Sequence, residues 1–364
     1  MFGFSMSKEQ KMIREEVAKL VKDMVTENAH DMDESRSIPA GVIQKAWSLG
    51  ISVSKVPEAY GGYGMKDSAV ETAIILEELA YGDMAFAVAA TLPALLNFPV
   101  AEMGTEEQKE KYLPLYCGDH YKPAALALNE PHFGFDAVLL KTTAVRKNGG
   151  YVLNGRKCFV PSANQSSHIL VAAALDGKNQ LFIVDGKNPG MIVGDREKNI
   201  GLYALETYEI TLDQCEIPAS DRLGGEKGCN YDGFLQKTRT AMAALATGVA
   251  RASYEFARDY ARERVQFGEP IAYRQSIAFM IAEMAYEVEA MRLMTWKAAS
   301  RLESGKDAKR EAYLARIYTA DMAMKIADYG VQILGGHGYV RDYPVERYYR
   351  NARGFSVIEG MAVV

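Results

Sequence analysis

The chain has 364 residues, 48% of them hydrophobic and 24% charged, which is enough for more than one hydrophobic core. Its 42 basic and 47 acidic side chains leave a net charge of −5, without the clustered basic surplus of a nucleic-acid binder. The opening MFGFSMSKEQKMIREEV soon turns charged and amphipathic, so neither a signal peptide nor a transit peptide is expected.

Residues 1–120 read as a helical domain. SKEQKMIREEVAKLVKDMV sets Met12, Ile13, Val17, Leu20, Val21 and Val25 on one apolar stripe behind a Ser7 cap. VPEAYGGYG (56–64) is a Pro/Gly loop, and SAVETAIILEELAYG resumes the helical period. TEEQKEKYLPLYCGD opens a further helix on Thr105, with two acids in its first turn. The most apolar stretch, AFAVAATLPALLNFPV (85–100), is interrupted by two prolines and too short to span a bilayer, so no membrane insertion is expected.

Residues 121–222 change character. GGYVLNGRKCFVPSA, SHILVAAAL, QLFIVDG, GMIVGD and ETYEITLDQCEIP are short β-branched runs separated by Gly, Asn, Asp and Pro. The Asn-Gly pair inside YVLNGRKCFV predicts a hairpin there. No helix-length segment separates the runs, which predicts an antiparallel, barrel-like β-domain. From 223 to 364 the helical period returns. Ile277, Met280, Ile281, Met284, Val288 and Met291 form a stripe that reads as core or subunit interface, and helices of this length predict a C-terminal four-helix bundle. The overall expectation is an α+β multidomain chain in the order α, β, α.

Cys117, Cys158, Cys215 and Cys229 show no metal or redox spacing, which suggests reduced thiols and a cytoplasmic location. His30, His120, His132, His168 and His337 do not cluster, so no protein metal site is expected.

Four stretches narrow the function: ALNEPHFGFD (127–136), RERVQFGEPIAYRQSI (262–277), QILGGHGYVRDYPVER (332–347) and VIEG (357–360). In this order and at these separations they resemble the acyl-CoA dehydrogenase family, and the resemblance covers essentially the whole chain. It implies FAD-dependent α,β-dehydrogenation of an acyl-CoA thioester to the enoyl-CoA, the α-proton going to a base and the β-hydride to flavin N5. It also implies an electron-transfer flavoprotein as acceptor, and a homotetramer that shares FAD across an interface. The base of the family lies in an aromatic-Glu-Gly motif, a place that Glu359 fills. Ile358 stands where tyrosine is frequent, and Gly360 would admit substrate and flavin close to the backbone. The resemblance further implies that the Glu359 N–H donates to the thioester carbonyl. Apolar company is expected around the base, since a dry carboxylate holds a proton more readily.

Other positions carry over singly. QKTR (Gln236, Lys237, Thr238, Arg239) matches the stretch that holds the CoA and acyl moiety, with Arg239 near the base. Thr238 occupies the position where a minority of the family place an alternative catalytic Glu. Arg264 resembles the residue that reaches the FAD pyrophosphate of a neighbouring subunit, beside Gln266 and Phe267; Gln275, Gln332, Gly335 and Gly336 match further FAD contacts. The plainer readings are Arg239 as a surface charge, Phe267 and Gln275 as helix packing, and Glu359 as an acid favoured by a helix dipole.

Departures from the family pattern gather in the flavin shell. Asn129 replaces a threonine that bonds the isoalloxazine, and its amide can still donate. Phe135 replaces a serine offered to CoA or substrate, Phe159 a tryptophan on the flavin face, and Pro161 a threonine near N5. Met361 and Val363 stand where polar FAD contacts are common, and the final FAD-contacting turn is expected to be missing after them. Thr91, small and by resemblance at the deep end of the pocket, together with Ile358, admits a branched, alicyclic or aromatic acyl group. Two alternatives follow: a non-catalytic FAD- or acyl-CoA-binding subunit of a hetero-oligomer, or an enoyl-CoA reductase using the same site.

Overall fold

The computed structural model describes residues 5–364. Helix α1 (Lys8–Leu20) opens on Ser7, whose hydroxyl accepts the Gln10 N–H while the Gln10 side chain accepts the Ser7 N–H. Val17, Val21 and Val25 of its stripe are buried, whereas Met12 is 66% exposed. Met12 and Ile13 instead line an apolar cleft of about 360 Å³ with Leu49, Ile51, Met65 and Ile75. After α2 (Ala29–Ser35) and α3 (Ala40–Trp47), α4 (Ala69–Gly82) ends at Asp83, which also caps α5 (Met84–Thr91) by accepting the Phe86 N–H. All of α5, and Ala94–Val100 of α6 (Ala94–Met103), is buried, as befits a stretch apolar on every side. Among the described residues no single helix is long and apolar enough to cross a membrane. Thr105 caps α7 (Glu106–Tyr112) in a second reciprocal box with Gln108.

Seven strands form one mixed sheet: β1 (Ala125–Ala127), β2 (Thr143–Lys147), β3 (Gly150–Pro161), β4 (His168–Leu175), β5 (Lys178–Asp185), β6 (Met191–Arg196) and β7 (Thr207–Pro218). β4 pairs antiparallel with β5 on one side and parallel with both β1 and β2 on the other; β3, β7 and β6 then follow antiparallel. The expected barrel-like domain is thus a mixed sheet, and its expected all-antiparallel pairing is corrected where β1 and β2 run parallel to β4. Parallel pairing escaped the sequence because β1 and β2 are short segments whose connections to β4 span other strands and loops. The predicted hairpin at Asn154-Gly155 is also corrected. Those residues lie inside the continuous strand β3, where Gly155 (φ 153°) marks a bulge against β7. The β2–β3 turn falls instead at Asn148-Gly149, both at positive φ.

Helix α8 (Tyr231–Glu263) is the axis of the C-terminal domain, packed against α9 (Gln275–Glu303), α10 (Lys309–Leu334), the short α12 (Val345–Gly354) and, from the first domain, α4. Three of the bundle's four helices are long; α12 has 10 residues. At Gly248 the α8 backbone nearly touches α4: an added Cβ would lie 2.3 Å from the Glu77 carbonyl oxygen. One turn on, Arg251 is buried against Glu77 and Glu78 at 3.0 and 2.6 Å, fastening the first domain to the bundle. A two-residue hairpin, β8 (Val265–Gln266) with β9 (Glu269–Pro270), links α8 to α9, and α11 (Gly336–Tyr339) links α10 to α12.

Candidate active site

The segment after α12 runs inward: Ile358 and Gly360–Val364 are buried, and Glu359 between them keeps 18% of its side chain exposed. Gly360 adopts φ 73°, and a Cβ there would lie 2.7 Å from Leu128 and 3.0 Å from Leu126. Its glycine is thus required by the leucines at the end of β1 and by the left-handed backbone.

Two side chains hold the Glu359 backbone. Asn129 forms a reciprocal amide pair with it: Asn129 Nδ2 donates to the Glu359 carbonyl at 2.7 Å, and the Glu359 N–H donates to Asn129 Oδ1 at 2.9 Å. Arg316, on α10, donates from Nη2 to the Ile358 carbonyl at 2.7 Å. The carboxylate then lies between two guanidinium groups, Arg239 Nε 3.6 Å from Oε1 and Arg316 Nε 3.8 Å from Oε2. Neither separation is a hydrogen bond. Arg239 Nε, Arg316 Nε and Glu359 Oε2 are all buried without a hydrogen-bond partner among the described residues. Burial pushes the Arg316 guanidinium below its ordinary pKa; Glu359 opposes this and Arg239 adds to it. The Tyr313 ring lies 5.3 Å from the Arg239 guanidinium.

Two expectations are corrected here. The residues flanking Glu359 are apolar, but its carboxylate faces two cations, of which the sequence offered one. The Glu359 N–H is engaged by Asn129 and is not free for a thioester carbonyl. For the same reason Asn129 has its oxygen and one N–H committed, leaving a single N–H for a flavin edge.

Next to Asn129, Glu130 is buried and accepts from the Lys141 and Thr142 N–H groups at 2.7 and 2.8 Å and from Lys157 Nζ at 2.9 Å. Burial drives its carboxyl up, but Lys157 and those N–H groups prevail and hold it down at about 2. Burial pushes fully buried Lys157 down to about 8 against the pull of Glu130. This pair, not read from the sequence, anchors the loop that carries Asn129 to β3. Farther along β3, Phe159 is half-buried at φ 53° with its N–H donated to the Glu197 carboxylate, and Pro161 is buried and offers no hydroxyl. Phe135 packs edge-on to His132, with ring centroids 6.0 Å apart.

The other expected substrate residues are not gathered at Glu359. Gln236 donates to Asp307 and accepts from the Ala308 N–H, tying down the α9–α10 connection; Lys237 pairs with Asp67 and Glu102 at 3.1 and 2.7 Å. A helix sends neighbouring side chains in different directions, so of QKTR only Arg239 faces the carboxylate. Thr238 and Thr91 are buried with their hydroxyls donated to the carbonyls of Leu235 and Ala87 in their own helices.

The expected dinucleotide residues define a second concavity, a cleft of about 610 Å³ lined by Arg264, Gln266, Phe267, Arg274, Gly335 and Gly336, among others. Its donors suit a diphosphate: two arginine forks and the first turn of the 29-residue α9, which has no side-chain cap. An added Cβ on Gly335 or Gly336 would meet nothing within 4 Å, so both present open backbone. Gln275 and Gln332 are exposed and do not line the cleft. Arg274, absent from the sequence expectations, does line it. Sequence reasoning also missed Arg316. The available signal was a lone arginine among positions of α10 that are otherwise buried and small, such as Ala312, Ala315 and Ala320.

Residues 7–119, 125–215 and 230–363 match, respectively, the N-terminal, middle and C-terminal domains of acyl-CoA dehydrogenase. The chain is 38% identical to an acyl-CoA dehydrogenase of Bacillus subtilis, over 97% of this chain and 95% of that one. It is 37% identical to the caffeyl-CoA reductase-Etf complex subunit CarC of Acetobacterium woodii (98% and 96% covered) and 34% to the 3-(aryl)acrylate reductase of Clostridium sporogenes (96% and 95%). Among solved structures, butyryl-CoA dehydrogenase from Megasphaera elsdenii superimposes with a TM-score of 0.87 at 30% identity, covering 99% of this chain and 96% of that one. The FAD complex of PigA does so with 0.88 at 25%, covering 98% and 95%.

Proposed function

The chain belongs to the acyl-CoA dehydrogenase family, and from that we infer an FAD-dependent oxidoreductase that interconverts an acyl-CoA thioester and its α,β-enoyl counterpart. The observation that carries this reading is Glu359 itself, held at its backbone by Asn129 and Arg316 with its carboxylate between two guanidinium groups. When bound, FAD supplies the two-electron partner for the β-hydrogen. Arg264 and Arg274 with the α9 N-terminus would hold its diphosphate, and the ends of β1 and β3 would lie along the ring. Glu359 takes the α-proton from the thioester. Because the two cations sit beyond hydrogen-bond distance, a carboxylate lone pair remains able to accept that proton. The cleft of Arg264 shares no residue with the surroundings of Glu359, which supports a cofactor contacted by two chains of a homo-oligomer, a tetramer by family analogy. Phe279 and Tyr286, both large and exposed on α9, offer apolar surface for such a contact. The four unpaired cysteines accord with a cytoplasmic location.

The direction of the reaction has a second reading. Two relatives above are named reductases, one of them a subunit of a complex with an electron-transfer flavoprotein. In that direction Glu359 delivers the proton to the α-carbon, and an electron-transfer flavoprotein is the donor instead of the acceptor. Anaerobic mixing separates the readings: an acyl-CoA bleaches the oxidised flavin if dehydrogenation is favoured, whereas an aryl-acrylyl-CoA re-oxidises pre-reduced flavin if reduction is. Glu359→Gln slows either reaction by at least about 10²-fold. An unchanged rate in that variant removes Glu359 as the base.

A further inference from the structure

Arg316 is one of the most buried charges in the bundle, at 7% exposure, and among the described residues pairs with no acid other than Glu359. Its guanidinium divides its work. Nη2 donates to the Ile358 carbonyl at 2.7 Å, fixing the peptide just before the base, while Nε faces Glu359 Oε2 at 3.8 Å. Arg239 faces the other oxygen, and Asn129 fixes the peptide of Glu359 itself. A carboxylate hydrogen-bonded bidentately to arginine would be a poor proton acceptor. One held through its backbone and only faced by charge keeps its direction and its lone pair together.

We propose that Arg316 is a positioning residue for the base, a clamp on the Ile358 peptide whose charge also orients the Glu359 carboxylate. This rests on the reading of Glu359 as the α-proton acceptor. The clamp requires arginine's fork, because a lysine ammonium is a single point and cannot bond the carbonyl while facing the carboxylate with a second nitrogen. The charged and titratable groups facing Glu359 are Arg239 and Tyr231 from α8 and Arg316 from α10; from the sheet side Asn129 is uncharged.

The test separates proton removal from hydride transfer. Phenylacetyl-CoA has α-hydrogens but no β-hydrogen, so the holoenzyme in D2O should exchange its α-hydrogens, a change read by NMR while the flavin stays oxidised. Arg316→Met is expected to slow exchange by about 10²-fold. It should act on the maximal exchange rate and leave half-saturation by phenylacetyl-CoA unchanged, a split that general loss of structure would not give. Arg316→Lys keeps the charge but not the fork, so it should remain slow, and it stays informative if Arg316→Met does not fold. An exchange rate equal to that of the parent in Arg316→Lys or in folded Arg316→Met overturns the clamp, and so does a loss confined to half-saturation. Unchanged exchange in Glu359→Gln is a different outcome: it removes the base reading on which the proposal rests.

Discussion

Lys157→Met tests whether the loop that holds Glu359 through Asn129 is set by a buried ion pair. Lys157 is fully buried, and its ammonium lies 2.9 Å from Glu130 Oε1 and 3.2 Å from the Leu128 carbonyl. Methionine fills most of the same space but leaves Glu130 as a buried anion supported only by backbone N–H groups and His132. Removing one partner of a buried pair costs about 3–5 kcal/mol. A carboxyl lowered in the folded state contributes stability that is complete above its unfolded value, here 4.5, and is lost as pH falls toward 2. Urea unfolding at neutral pH should therefore show Lys157→Met less stable by that amount. Lys157→Met/Glu130→Gln, which removes both charges, should recover a good part of the loss. Glu130→Gln should lack the parent's decline between pH 4.5 and 2. If the single variant unfolds within about 1 kcal/mol of the parent, or the double variant is no better than the single, the pair does not anchor the loop.

Two further outcomes are expected. Tyr116 hydrogen-bonds His168 Nδ1 at 2.9 Å, and burial lowers the His168 pKa below 6.5; a base lowered in the folded state costs stability as pH falls through 6.5, so His168→Phe should flatten the decline measured by urea melts between pH 7 and 5. Gly360→Ala forces a Cβ to 2.7 Å from Leu128 at φ 73°, which should displace the Glu359 peptide and cut α-hydrogen exchange by about 10²-fold, whereas Gly41→Ala, in open space on α3, should leave it unchanged.

What the sequence revealed followed the range of the interaction. Ser7 and Thr105 were legible as caps because the bonds they make reach three residues. The Asn-Gly signal was real but sat at two places six residues apart, and only pairing of β3 with β7, more than fifty residues on, decides that Asn154-Gly155 is a bulge and Asn148-Gly149 the turn. Glu359 and Arg239 stood out through motif order. Arg316 did not, because a single arginine in an apolar helical stripe looks like a solvent-facing charge until α12 and the tail cover it. Gln236 and Lys237 were adjacent to Arg239 in sequence, and the helix turned them elsewhere.

Glu359 therefore owes its position to three segments remote from one another. Asn129 is 230 residues away in sequence, at the end of a strand; Arg316 and Arg239 stand on separate long helices. A contact made between domains is only as fixed as each domain that supplies it. The Glu130–Lys157 pair fixes the sheet side, and the Arg251 cluster ties the bundle to the first domain. The N–H of Glu359, given to Asn129, is the one polar group of the base's peptide that a thioester carbonyl would compete for. Substrate entry must then either displace the Asn129 oxygen or use another donor. In both cases Asn129 is the side chain with which the proposed thioester would have to compete at the Glu359 peptide.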